Sequence, residues 1–230
     1  MAHKGKVVEI FKSVQGEGKY VGLPQVFLRL SFCNLQCTYC DTDFQSGNWM
    51  SAQEALDAIA ALLRTHAEVA SVAVTGGEPL LQDGFLQEIL PSLKEQGLNV
   101  LLETNGTIAE AFRKIETCID VVSMDIKLAS ASLTKDLSRE HDAFLVASQA
   151  KDRYVKVVLS AQTTDEDFAR AVGLLAGHDP STCFVLQPVT PLGLATPPTS
   201  QQLERWTGAA RVLLRDVRVI PQMHKQWGIP

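Results

Sequence analysis

Short apolar runs alternate with amphipathic helical stretches along nearly the whole chain, and this alternation restricts the fold more than any other feature. Strand patterns cover Val7 to Phe11, Val26 to Phe32, Ser71 to Thr75, Asn99 to Glu103, Asp120 to Asp125, Tyr154 to Ser160, Cys183 to Pro188 and Val217 to Pro221. Between them, Ser51-Ala-Gln-Glu54 forms a capping box ahead of an apolar stripe through Ala55, Leu56, Ile59, Leu62 and Leu63. Further helical patterns cover Leu81 to Gln96, kinked or split at Pro91 and stopped by Gly97, then Thr164 to Ala176 and Thr199 to Leu214. Apolar strands joined through helices predict an α/β protein with a parallel sheet, either doubly wound or a full or partial (β/α) barrel. The one Pro-rich stretch, Pro188 to Pro198, is short enough for a loop, so residues 1–230 read as a single domain.

Composition closes off several function classes. The 230 residues are 46% hydrophobic, enough for a core that needs no disulfides. Lys+Arg 21 against Asp+Glu 26 gives a net charge of −5 with no compensating basic run, which argues against nucleic-acid partners. The N-terminal segment lacks the apolar region and cleavage site of a signal peptide, and no apolar run reaches membrane-span length. A cytoplasmic protein without a membrane partner is expected. Of five cysteines, Cys118 and Cys183 stand alone among apolar residues, as packing residues do, whereas Cys33, Cys37 and Cys40 are clustered. In a reducing compartment such a cluster more often holds metal or does redox chemistry than forms bridges.

Polar residues recur at strand ends: Arg29 in the first core strand, then Thr75, Glu103, Asp125, Gln187 and Gln222. The carboxyl ends of parallel strands form the active-site face of α/β folds, so these side chains are expected to converge. Solvent contact accounts for any one of them; the full set favours convergence.

Cys33-Asn-Leu-Gln-Cys37-Thr-Tyr-Cys40 follows a strand with C-x3-C-x2-C spacing. A structural zinc site wants four ligands, and no fourth Cys or His lies nearby. A thioredoxin-like Cys37–Cys40 pair leaves Cys33 without a task. An iron–sulfur cluster held by three thiolates leaves one iron open for a small-molecule chelate. In this spacing, with Tyr39 before the last cysteine, the chain resembles the radical S-adenosylmethionine enzymes. Thr75-Gly-Gly-Glu-Pro79, between a strand and a helix, matches the segment that binds the methionine amino group in that superfamily. Gly76 and Gly77 would permit the close backbone approach.

Ser13-Val-Gln-Gly-Glu-Gly18, the Arg29 strand, Cys40-Asp-Thr-Asp43, Leu102-Glu-Thr-Asn-Gly106, Gln222-Met-His-Lys225 and Trp227-Gly228 narrow the resemblance to the 7-carboxy-7-deazaguanine synthase family. The resemblance runs from about Val8 to the end of the sequence. It implies a partial (β/α)6 TIM-like barrel and a lyase that acts on a small pterin, 6-carboxy-5,6,7,8-tetrahydropterin, with loss of ammonia. Its implied cofactors are a [4Fe-4S] cluster on Cys33, Cys37 and Cys40, S-adenosylmethionine, and Mg2+ with Thr42 contributing a hydroxyl oxygen.

By the same resemblance, S-adenosylmethionine would meet Thr38, Tyr39, Cys40, Gly77, Glu78, Glu103 and Gln187. Ser123, Asp125 and Lys127 are further cofactor candidates, since Asp125-Ile-Lys127 stands where many relatives carry Ser-Pro-Lys. Val14, Gln15, Gly16 and Thr75 would meet the substrate. Arg29 would meet its carboxylate, for which a planar guanidinium fork is geometrically matched. Pro230 is a candidate through its terminal carboxylate. The resemblance also implies a flavodoxin- or ferredoxin-type reductant and a homodimer, for whose interface Trp49 and Trp206 are available. The competing reading is an activating enzyme that installs a glycyl radical on a partner protein. A noncatalytic iron–sulfur carrier or zinc module leaves the Gly-Gly-Glu-Pro segment and the polar strand ends unexplained.

Overall fold

Alternation within each strand builds two different faces of one sheet. In the computed structural model, which describes residues 3–43, 45–193 and 195–229, strand β1 (Gly5–Val14) pairs antiparallel with β2 (Pro24–Leu30) and with the short β3 (Asn48–Met50). The chain then alternates through α1 (Ala52–Thr65), β4 (Ser71–Gly76), α2 (Asp83–Glu95), β5 (Asn99–Thr104), α3 (Ala109–Arg113) and β6 (Val121–Asp125). It continues through α4 (Ala129–Ser132), α5 (Ser138–Ala147), β7 (Asp152–Leu159), α6 (Asp165–His178), β8 (Cys183–Pro188), α7 (Ser200–Leu213), β9 (Val217–Val219) and α8 (Met223–Trp227).

The sheet order is β3-β1-β2-β4-β5-β6-β7-β8-β9, and from β2 onward every pairing is parallel. Each new parallel strand is added on the same side of the last. Right-handed crossovers then put every connecting helix on one face, which rules out the doubly wound alternative. The six strand–helix units from β2 to β8 are a partial (β/α)6 barrel.

Helix-side residues such as Leu28, Val74, Leu102, Met124, Val157 and Leu186 are buried with the apolar stripes of α1, α2 and α6 in one continuous core. Burying each such side chain contributes roughly 1.5–3 kcal/mol, so this layer carries most of the fold's stability. The α1 capping box forms as read: Ser51 Oγ accepts from Glu54 N at 3.3 Å, and Ser51 N donates to Glu54 Oε2 at 2.7 Å.

Four expectations need correction. β1 is longer than Val7–Phe11 because its polar residues lie on a half-solvated strand near the sheet edge. α2 passes through Pro91 as one helix, because the ring sits on an exposed position. The third is β2, which ends at Leu30, since Phe32 takes a left-handed φ of 71° that no strand accommodates. Trp206 is no surface residue: it packs in the core beside Phe168, and its indole N–H donates to Asp165 Oδ1 at 2.7 Å.

Candidate active site

On the face away from the helices, side chains change character along the strands. Phe27, Ala73 and Leu101 pack as an apolar floor. Beyond them, Arg29, Thr75, Glu103, Ser123, Asp125, Lys156 and Gln187 line a cleft of about 470 Å³, together with all three clustered cysteines. The parallel register brings them level: Arg29 pairs with Thr75, Glu103 with Ser123, and Asp125 with Lys156.

A first group fixes Glu103. Gln15 Nε2 donates to its Oε1 at 2.9 Å, and Thr75 Oγ1 donates to its Oε2 at 2.7 Å. Nearby, Arg29 Nε donates to Glu9 Oε1 at 2.7 Å and the guanidinium lies 5.4 Å from the Phe11 ring centroid.

A second group is a row of alternating charges. Lys156 Nζ pairs with Glu17 Oε2 and lies 3.7 Å from Asp125 Oδ2, the same oxygen that Lys127 Nζ meets at 2.8 Å. Burial alone would raise the Glu17 carboxyl, but the charge and hydrogen bond of Lys156, with Gln222 Nε2 at 2.8 Å, hold it down at about 2. Burial disfavours charge on both lysines, and their carboxylate neighbours more than offset it, so both stay protonated. Lys127 Nζ also lies 5.4 Å from the Tyr39 ring centroid.

The cysteine loop is held from several sides. A Cβ on Gly77 would come within 2.2 Å of Phe32 O, and one on Gly76, at φ 141°, within 2.0 Å of Leu30 O. The double glycine therefore lets the end of β4 pack against the start of the cysteine loop, where Glu78 N donates to Phe32 O at 2.8 Å. These glycines thus also allow a close approach within the chain itself, while both line the cleft. Thr38 is tied to α4 through Ala131 O at 3.1 Å, and Asn34 Oδ1 accepts from Asn105 Nδ2 at 2.8 Å.

The three thiols are free and line one cleft, and burial raises those of Cys33 and Cys37. Among the described residues no three His, Cys, Asp or Glu form a site for a single metal ion. Thiolates that each bind a different iron of a cluster need not converge on one point, so the donor set suits a cluster better than zinc. Three buried oxygens have no partner among the described residues: Tyr39 Oη, Asp125 Oδ1 and Gln187 Oε1. All three residues line the cleft.

The radical SAM superfamily profile matches residues 28–158. The 7-carboxy-7-deazaguanine synthase of Geobacter sulfurreducens is 37% identical, with 96% of each chain covered. That of Methanothermobacter thermautotrophicus is 33% identical, with 98% of each covered. The chain belongs to the 7-carboxy-7-deazaguanine synthase family. The crystal structure of QueE from Escherichia coli shares the fold, with a TM-score of 0.63 over 96% of this chain and 95% of that one at 21% identity. A radical SAM methyltransferase from Sphaerobacter thermophilus gives 0.66 over 86% of this chain and 66% of that one at 14% identity.

Most residues singled out by the family resemblance line the cleft, including Val14, Gln15, Gly16, Thr42, Tyr39, Gly77, Ser123 and Lys127. Glu78 does not. It is fully buried, accepting from Leu80 N, Thr104 Oγ1 and Asn105 N at 3.0, 3.0 and 2.7 Å, and burial raises its carboxyl to about 7. Nor does Thr38 line the cleft; it anchors the cysteine loop. Glu103, expected with the cofactor residues, is hydrogen-bonded to Gln15 and Thr75 of the substrate set. Pro230 lies outside the described residues. Lys156 was not among the expected site residues, and Glu17 entered only as part of the Ser13–Gly18 segment. The signal for Lys156 was there, as a lone cation within the apolar run of β7.

Proposed function

We infer that this cleft binds S-adenosylmethionine and a carboxylated pterin side by side. The protein is a radical S-adenosylmethionine lyase of the 7-carboxy-7-deazaguanine synthase family. Its reaction converts 6-carboxy-5,6,7,8-tetrahydropterin to 7-carboxy-7-deazaguanine with loss of ammonia. One observation carries the two-ligand reading: the three residues whose buried oxygens have no partner among the described residues line the same cleft as the cysteine triplet and Arg29. Buried polar atoms are normally satisfied, so this cleft is built for polar ligands.

Once bound, a [4Fe-4S] cluster and S-adenosylmethionine supply a carbon-centred radical able to abstract hydrogen. The chain's own residues bind and orient. Cys33, Cys37 and Cys40 hold the cluster, while Asp125 Oδ1, Gln187 Oε1 and Tyr39 Oη offer polar contacts to the cofactor. Arg29, already steered by Glu9 and Phe11, meets the pterin carboxylate with its terminal nitrogens. Gln15, Thr75 and Glu103 form a prearranged donor and acceptor edge for the flat ring.

We assign Thr42, on the cleft wall beside the cysteine loop, as the protein ligand of a Mg2+ whose other positions go to water and substrate oxygens. The reading includes residues 1–230 as one core domain, a flavodoxin- or ferredoxin-type reductant and a homodimer, for which Trp49 is exposed. It also includes a cytoplasmic setting; among the described residues no helix is long and apolar enough to cross a membrane.

The test is anaerobic reconstitution with iron and sulfide, followed by incubation with the pterin, S-adenosylmethionine, Mg2+ and a reductant. Mass spectrometry is expected to detect 7-carboxy-7-deazaguanine. Cleavage of S-adenosylmethionine with the pterin unchanged would overturn the reading.

A further inference from the structure

Lys156 is an inward-facing lysine in the middle of a parallel strand, a position where an unpaired charge is costly. Two carboxylates from different parts of the cleft meet it. Glu17 comes from the loop after β1, directly beside Gln15, whose Oε1 accepts from Glu17 N at 3.0 Å. Asp125 ends β6; its Oδ2 takes both lysines while Oδ1 has no partner among the described residues. Lys156 therefore links the Gln15 loop to the Asp125–Lys127–Tyr39 wall through charged groups.

We propose that Lys156 is a positioning residue that joins the two halves of the cleft, holding the substrate loop through Glu17 and the free oxygen of Asp125 toward the cofactor. This deepens the functional reading above and rests on it. With the ammonium in place, Glu17 is held to β7 on the cleft wall, and Gln222, which also donates to Glu17, lies beside it. With the ammonium removed, buried Glu17 loses its counter-charge, and Asp125, still paired with Lys127 at 2.8 Å, loses its tie to the Glu17 loop. Glu17 is held far below the usual carboxylate range and Lys156 above the usual ammonium range, so the link stays charged at all pH values at which the fold is expected to persist.

The experiment measures equilibrium binding of S-adenosylmethionine and of the carboxypterin to the reconstituted protein. It compares the unaltered chain with Lys156→Arg, Lys156→Met and the double variant Glu17→Gln/Lys156→Met, following thermal unfolding alongside. Lys156→Met is expected to weaken both ligands, each by roughly tenfold or more. Lys156→Arg, which keeps the charge, is expected to restore most of both affinities. The double variant removes the stranded Glu17 charge, so it is expected to regain thermal stability without regaining affinity.

Native affinity for both ligands in a folded Lys156→Met would overturn the proposal. So would a double variant that regains affinity along with stability, since Lys156 would then serve the fold alone. If the unaltered chain itself bound no pterin, the functional reading would fail instead, and the two failures are separable.

Discussion

The two faces of the one sheet do different work. On the helix side Leu28, Leu102, Met124 and Leu186 are sealed in a continuous apolar core. One residue further along the same strands, Arg29, Glu103, Asp125 and Gln187 line an open cleft, and three residues of its lining carry a buried oxygen without a partner among the described residues. A packed face tolerates no gap because every contact there is already made. The cleft face carries polar groups held in place and left unsatisfied, which costs stability and provides binding. Period-two alternation thus places stability and chemistry side by side in β2, β5, β6 and β8.

The sharpest way to break this contrast is Cys37→Ser. Iron content after reconstitution is expected to fall and product formation to drop to background, while the melting curve of the iron-free protein stays close to that of the parent. A large loss of stability would mean that the cysteine loop belongs to the packed face after all.

Next comes Leu102→Ala on the helix side, adjacent to Glu103. It is expected to lower unfolding free energy in urea by about 2–5 kcal/mol, the range for truncating a buried leucine, while substrate affinity of the folded fraction barely changes.

Glu17 gives a pH test. Its folded pKa is about 2 against an ordinary 4.5, so the stabilisation it contributes is complete above 4.5 and disappears as pH falls from 4.5 toward 2. The difference corresponds to about 3 kcal/mol. Urea unfolding of Glu17→Gln is expected to show a shallower loss of stability than the parent across that window. Equal slopes would show that Lys156 does not hold the carboxylate.

The smallest effect expected is that of Arg29→Lys, which keeps the charge but loses the planar fork. The pterin KM is expected to rise by about tenfold with little change in stability. An unchanged KM would remove Arg29 from carboxylate recognition.

Much of this was legible in the sequence for definite reasons. Apolar alternation and the Ser51–Glu54 box located the strands and α1, because burial and capping act locally. The cysteine spacing and the Gly-Gly-Glu-Pro segment pointed to the family to which the chain belongs. Short pieces such as β3, α3 and α4 were not legible, since three to five residues carry no period and are held by tertiary contacts. The role of Glu78 was hidden too. Nothing in the motif says that its carboxylate turns inward to bind Asn105 N rather than facing the cleft. Lys156 and Glu17, 139 positions apart, meet only because β7 lies opposite the loop after β1.

The central claim is that one cleft holds cofactor and pterin at the same time, and titrating the pterin into reconstituted protein with and without saturating S-adenosylmethionine tests it most directly. The account predicts one pterin bound per chain in both titrations, with S-adenosylmethionine retained. Displacement of either ligand by the other, or no pterin binding at all, would contradict it.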